Sequence, residues 1–127
     1  MKLELSKFAR MQLTNMVIRY LTPKYSLDKV KSVSLRKISF SKAAARDIDN
    51  LGYTDQDVKD CIDGLQESNF VKQVVYDYGV ADVYFYCHEL EPIDDISDPT
   101  CDELYLKFEM LEEETEIYFL SFHLKHC

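Results

Sequence analysis

Seven side chains in the second half of the chain carry the chemistry worth testing. The last strand-like stretch reads "YFLSFHLK", with His123 and Lys125 two residues apart. Upstream, "ELYLKFEML" offers Tyr105 and Lys107, and "DVYFYCHEL" offers Tyr84, Tyr86 and His88. In a strand, alternate residues share a face. One apolar face is expected to bury itself against helices. Leu104, Leu106, Phe108 and Met110 form the apolar set of one strand, and Tyr118, Leu120, Phe122 and Leu124 that of the last, with Ile117, Phe119, Ser121, His123 and Lys125 opposite. In the earlier strand Val83, Phe85 and Cys87 oppose Asp82, Tyr84, Tyr86 and His88. The open face then collects Tyr84, Tyr86, His88, Tyr105, Lys107, His123 and Lys125. Tyrosine stacks on bases or donates a hydrogen bond, lysine binds phosphate, and histidine moves protons near neutral pH. Together these suit metal-free cleavage of RNA: a base takes the 2′-OH proton, an acid protonates the leaving 5′-oxygen, and cations stabilise the charge on phosphorus. The bland alternative is a solvated sheet face, on which Tyr, Lys and His are common.

The totals narrow the choices. A chain of 127 residues with 46% hydrophobic and 13% aromatic content makes one globular domain. No apolar run is long enough for a membrane span, and Glu4, Lys7 and Arg10 interrupt any signal-like segment at the start. A cytoplasmic location follows as the expectation, with the thiols of Cys61, Cys87, Cys101 and Cys127 reduced. Cys87-His88 and His126-Cys127 would make an improbable metal site, because adjacent strand residues point to opposite sides. No metal or other cofactor is expected. The net charge of −8 is unevenly spread. Residues 1–50 hold eleven Lys/Arg against four Asp/Glu, a net of +7, and residues 51–127 hold four against nineteen, a net of −15. That acidity counts against broad nucleic-acid binding and suits a basic partner segment.

Behind these residues the pattern predicts helices followed by strands. Residues 3–21 have roughly helical apolar spacing, ended by "TPKYS". Ser26 caps a short helix to about Val33. "FSKAAARDIDNLGY" is a helix capped by Ser41 and stopped by Gly52, and "TDQDVKDCIDGL" another, capped by Thr54 with Asp57 at its third position. Its stripe is Val58, Cys61, Ile62 and Leu65. "FVKQVVYDY" and "DVYFYCHEL" form a hairpin around Gly79, residues 89–103 an acidic loop, and "ELYLKFEML" with "EIYFLSFHLK" a second hairpin turning at "EEET". The expected fold is α+β: N-terminal helices packed on a four-stranded antiparallel sheet.

Several strings, in order from about Pro23 to Lys125, resemble the MqsR-type toxins, a bacterial family of toxin–antitoxin messenger RNA interferases with a RelE-like fold. They are "PKYSLDKVKS", "DIDNLGYTDQDVKDCIDGLQESNFVK", Asp82-Val83-Tyr84, Leu104-Tyr105-Leu106-Lys107 and Leu120-Ser121-Phe122-His123. The resemblance implies catalytic positions at Lys72, Tyr105 and His123, the last replacing a family lysine. It places Ala81 where the family has a glutamine. It also implies a cognate antitoxin and mRNA as partners. Lys107 and Lys125 would assist electrostatically, and Tyr84 and Tyr86 would stack RNA bases. Residues 23–127 would form the toxin domain, and residues 1–22 a helical extension, a candidate surface for homodimers. The competing reading is a non-catalytic binding module that engages a basic partner through its acidic surface.

Overall fold

The computed structural model describes residues 16–19, 22–92, 94–96 and 98–126. Among these lie three α-helices, α1 (Leu27–Ser32), α2 (Lys42–Leu51) and α3 (Asp55–Gly64). The strands are β1 (Met16–Arg19), β2 (Ile38–Phe40), β3 (Phe70–Tyr76), β4 (Gly79–Leu90), β5 (Thr100–Leu111) and β6 (Glu116–Leu124). They form one six-stranded mixed sheet in the order β1-β3-β4-β5-β6-β2. All neighbours are antiparallel except β2 and β6.

This corrects the four-stranded antiparallel expectation. The apolar residues of Met16–Arg19 fit helical spacing, but Val17-Ile18 are β-branched and pair with Val75 and Val74. Ile38-Ser39-Phe40 is too short to show a period, and its partner, Ile117–Phe119, lies far along the chain. The rest of the expected N-terminal helix, and with it the homodimer surface, lies outside the described residues.

Local signals at the helices hold. Ser26 accepts from the Lys29 amide, Ser41 from Ala44 and Thr54 from Asp57, whose carboxylate answers the Thr54 amide in a capping box. Gly52 ends α2 with φ +77°. Gly64 makes room for a ring: a Cβ there would strike the Tyr86 hydroxyl. The helices pack on one sheet face, where Val30, Val58, Ile62, Leu65, Tyr84, Leu104, Leu106, Phe108, Ile117, Phe119 and Phe122 are all essentially inaccessible.

Two bulges set the phase of the sheet. In β3 the register shifts between Phe70 and Lys72, so Phe70 packs on the core while Lys72 stands opposite Val83. Lys72 therefore does not share a face with Phe70. Between β5 and β6 the register shifts after Lys107, and Leu120 becomes the extra residue. Hence Ile117 and Phe119 are core, like Phe122, and the expected apolar set of β6 holds only for its second half. β4 runs on to Leu90 and β5 starts at Thr100, so both ends of the expected acidic loop are strand, and Cys87 and Cys101 form a disulfide between them. That corrects the expectation of reduced thiols. Cys61 is a buried free thiol, pushed up to about 12 by burial and by Asp57, Asp60 and Asp102, so it is inert as a nucleophile.

Candidate active site

The open face is built of cross-strand rows. One runs Phe85, Tyr105, His123 over β4, β5 and β6. The Phe85 and Tyr105 rings are 6.0 Å apart, and those of Tyr105 and His123 are stacked at 5.0 Å and 7°. The bulge at Leu120 is what brings His123 opposite Tyr105. His123 Nδ1 lies 2.7 Å from the Leu124 carbonyl oxygen. A carbonyl only accepts, so Nδ1 carries a proton and Nε2 is the nitrogen free to exchange one. Lys125 holds its ammonium 4.6 Å from the Phe85 ring centre and 3.3 Å from Glu103.

The adjacent row is Lys72, Val83, Lys107, Ser121. Lys107 donates to the Tyr76 hydroxyl at 2.8 Å, reaching away from Tyr105. Lys72 lies three strands from His123, roughly 14 Å at the usual spacing. The structure thus brings Tyr105 and His123 together, sets Lys125 and Lys107 on either side, and places Lys72 apart from them.

Tyr84 and Tyr86 are not on this face. They stand opposite Leu106 and Leu104, on the helix side. Tyr84 is fully buried and stacks on Phe108, and Tyr86 packs against Gly64. Burial raises both phenols above their ordinary range, with Asp82 and Glu67 adding to the shift of Tyr84. His88 is also on the helix side, 5.2 Å from the Tyr53 ring. The inversion arises because each alternating set of β4 holds large rings or apolar side chains, Val83 and Phe85 in one and Tyr84 and Tyr86 in the other, so alternation alone does not say which is inside. It hid Phe85, which belongs to the open row.

Two further features escaped the sequence. Asp82 is fully buried and accepts from the Lys24 amide at 2.9 Å and the Tyr25 amide at 3.0 Å. Burial raises its carboxyl and these hydrogen bonds oppose the shift. Asp82 is thus a clamp on the chain entering α1. The second feature is a cleft of about 390 Å³ lined by Asp47, Asn50, Leu51, His123 and Leu124. β2 leaves β6 after Phe119 and rises into α2, with Ser41 bonding the Phe119 and Leu120 carbonyls. The β6 edge beyond that point opens into the cleft.

A mixed sheet covered by helices on one side, with an aromatic row ending in a histidine on the other, defines a small α+β protein with one candidate catalytic face. The chain matches, over residues 22–124, the family described as "Motility quorum-sensing regulator, toxin of MqsA", and it belongs to that family. Membership makes it the toxin of a toxin–antitoxin system, with an antitoxin as partner. No curated protein and no solved structure matches the chain. Among the described residues, no helix is long and apolar enough to cross a membrane.

Proposed function

We propose that this toxin is an endoribonuclease that cleaves mRNA without a metal. The observation that carries the reading is the Tyr105–His123 stack, with one imidazole nitrogen fixed by the Leu124 carbonyl. His123 Nε2 accepts the ribose 2′-OH proton as the 2′-oxygen attacks phosphorus. The bond from phosphorus to the 5′-oxygen breaks, leaving a 2′,3′-cyclic phosphate, and the 5′-oxygen takes a proton from water to end as a hydroxyl. The Tyr105 phenol holds a phosphate oxygen or the leaving oxygen. Lys125 and Lys107 exchange their present partners, Glu103 and Tyr76, for phosphate oxygens. The Lys125–Glu103 pair is exposed, and pairs of that kind are weak enough to exchange. Lys72, farther along the face, suits the phosphate of a neighbouring nucleotide.

The test is cleavage of a defined mRNA by protein freed of antitoxin, in excess chelator. Cuts ending in 2′,3′-cyclic phosphate and 5′-hydroxyl are expected from the wild type. Intact RNA, under conditions where an active toxin of the same family cuts, would end the proposal.

A second reading keeps the family scaffold but no catalysis. Its motivation is that residues 51–127 carry a net of −15 and both cations beside the row are already engaged. It predicts a complex with a basic partner that weakens with salt and is indifferent to His123→Ala.

A further inference from the structure

The cleft between α2 and the free edge of β6 touches His123 but takes no part in the chemistry proposed above. We propose that it is a base-reading subsite: it admits a nucleobase that carries an amino group, beside the scissile phosphate, and Asp47 reads that group. This inference rests on the ribonuclease reading and names which substrates the same site selects.

Asp47 and Asn50 are three residues apart on α2, so they sit on one side of the helix. Both line the cleft, and their side chains make no hydrogen bond or ion pair with another described residue. Leu51 and Leu124 supply apolar walls. At about 390 Å³ the space falls in the range of small-ligand sites, about 300–1,000 Å³. A flat ring between two leucines, with polar groups at its rim, is the shape such a lining accepts.

Charge decides which part of RNA enters. A carboxylate only accepts hydrogen bonds. It repels a phosphate, so the phosphates stay on the Tyr105 side with the lysines, and what enters must offer N–H. Guanine, adenine and cytosine each carry an amino group. Uracil presents a carbonyl oxygen on each side of its single N–H and meets the carboxylate with repulsion. His123 lines the cleft and also stacks on Tyr105, so a base held there has its own ribose beside the proton-accepting nitrogen.

The experiment is end-mapping of cuts in a random-sequence RNA pool by wild type, Asp47→Asn and Asp47→Ala, each shown to be folded by its melting curve. The wild type should disfavour uracil at one fixed position next to the cut by about tenfold to a hundredfold, the scale of one good side-chain–base contact. Asp47→Asn should admit uracil there, because an amide both donates and accepts. Asp47→Ala should lose the discrimination. An unchanged base preference in both variants overturns the subsite while leaving the ribonuclease intact. So does a wild type that cuts with no preference beside the scissile bond. Loss of the antitoxin complex in Asp47→Asn with base preference retained also overturns it, assigning the cleft to a basic side chain of the partner. A wild type that cuts no RNA removes the ribonuclease reading, and the subsite with it.

Discussion

The two faces of the sheet are assembled from the same residue types to opposite ends. On the helix side, aromatic rings lock into a closed core: Phe108 stacks on Tyr84 and meets Phe119 edge-on, and Phe119 meets Phe122 edge-on. On the open side, Phe85, Tyr105 and His123 make a single row of half-buried rings, with the Tyr105 phenol and the His123 imidazole as its polar groups. The core rings are essentially inaccessible, and Tyr84 even buries a hydroxyl with no hydrogen-bond partner among the described residues. The open row keeps its lysines on exchangeable partners, a ring, a phenol and a carboxylate. Aromatic content alone therefore does not mark a site. What marks it is rings that hold one another in place while their polar atoms stay free to exchange partners.

The sharpest way to break that contrast is to remove one ring from each face. His123→Ala should lower RNA cleavage by about a hundredfold to ten-thousandfold, the usual share of a general base, and cost no more than about 1 kcal/mol of stability, the scale of one cross-strand ring pair. Rates and melting curves on the same preparation check both halves. Phe108→Ala should do the reverse at the level of the fold. It should cost about 3–5 kcal/mol by leaving a cavity among Tyr84, Leu106 and Phe119, read by denaturant unfolding. A His123 variant that melts like the Phe108 variant would make the open row structural rather than catalytic.

These two residues also show what was legible in the sequence. Phe108 sits in a clean alternation, Leu104 to Met110, whose phase the structure keeps. The helix caps were equally readable, since Ser41, Thr54 and Asp57 act within four residues of themselves. His123 lies on the open face, but the alternation of its strand breaks at Leu120. A bulge adds a residue without any mark in composition, so strict alternation put Ile117 and Phe119 on the wrong side. Tyr84 and Phe85 were exchanged because either could fill a core. β1 and β2 were missed because four and three residues carry no period, and their partners lie tens of residues away. The Asp82 clamp acts across 57 and 58 residues, beyond any local pattern.

A smaller effect is expected where the open face is tied at its end. The disulfide joins Cys87 to Cys101, 14 residues apart, across the base of the acidic loop. Closing a loop of that length stabilises by about 3 kcal/mol on chain-entropy grounds. Reduction, or Cys87→Ser with Cys101→Ser, should lower stability by up to that amount, read as the difference in denaturation midpoint with and without a thiol reductant. The core rows around Phe108 should keep their hydrogen-exchange protection while Glu89, Leu90 and Thr100 lose theirs, because those residues border the cross-link. Equal loss on both faces would show that the disulfide supports the whole sheet.

The smallest effect tests the least settled group on the open face. Glu109 has a buried carboxylate oxygen with no hydrogen-bond partner among the described residues, and burial raises its pKa above the ordinary 4.5. With the folded pKa above the unfolded one, the native state holds the proton longer. The unfolded state then binds fewer protons over that window, and stability falls as pH rises through it. Glu109→Gln removes the charge and that dependence. The variant should match the wild type below about pH 4 and exceed it at neutral pH by up to about 1 kcal/mol, the scale of an unmet polar group. Asp82 carries a raised pKa of its own and tilts both proteins the same way, so the difference between the two melting curves isolates Glu109. A difference that shrinks with rising pH would mean that the folded state favours the Glu109 anion. The open face would then hold a partner for that carboxylate, supplying stabilisation where the helix face supplies it through packing.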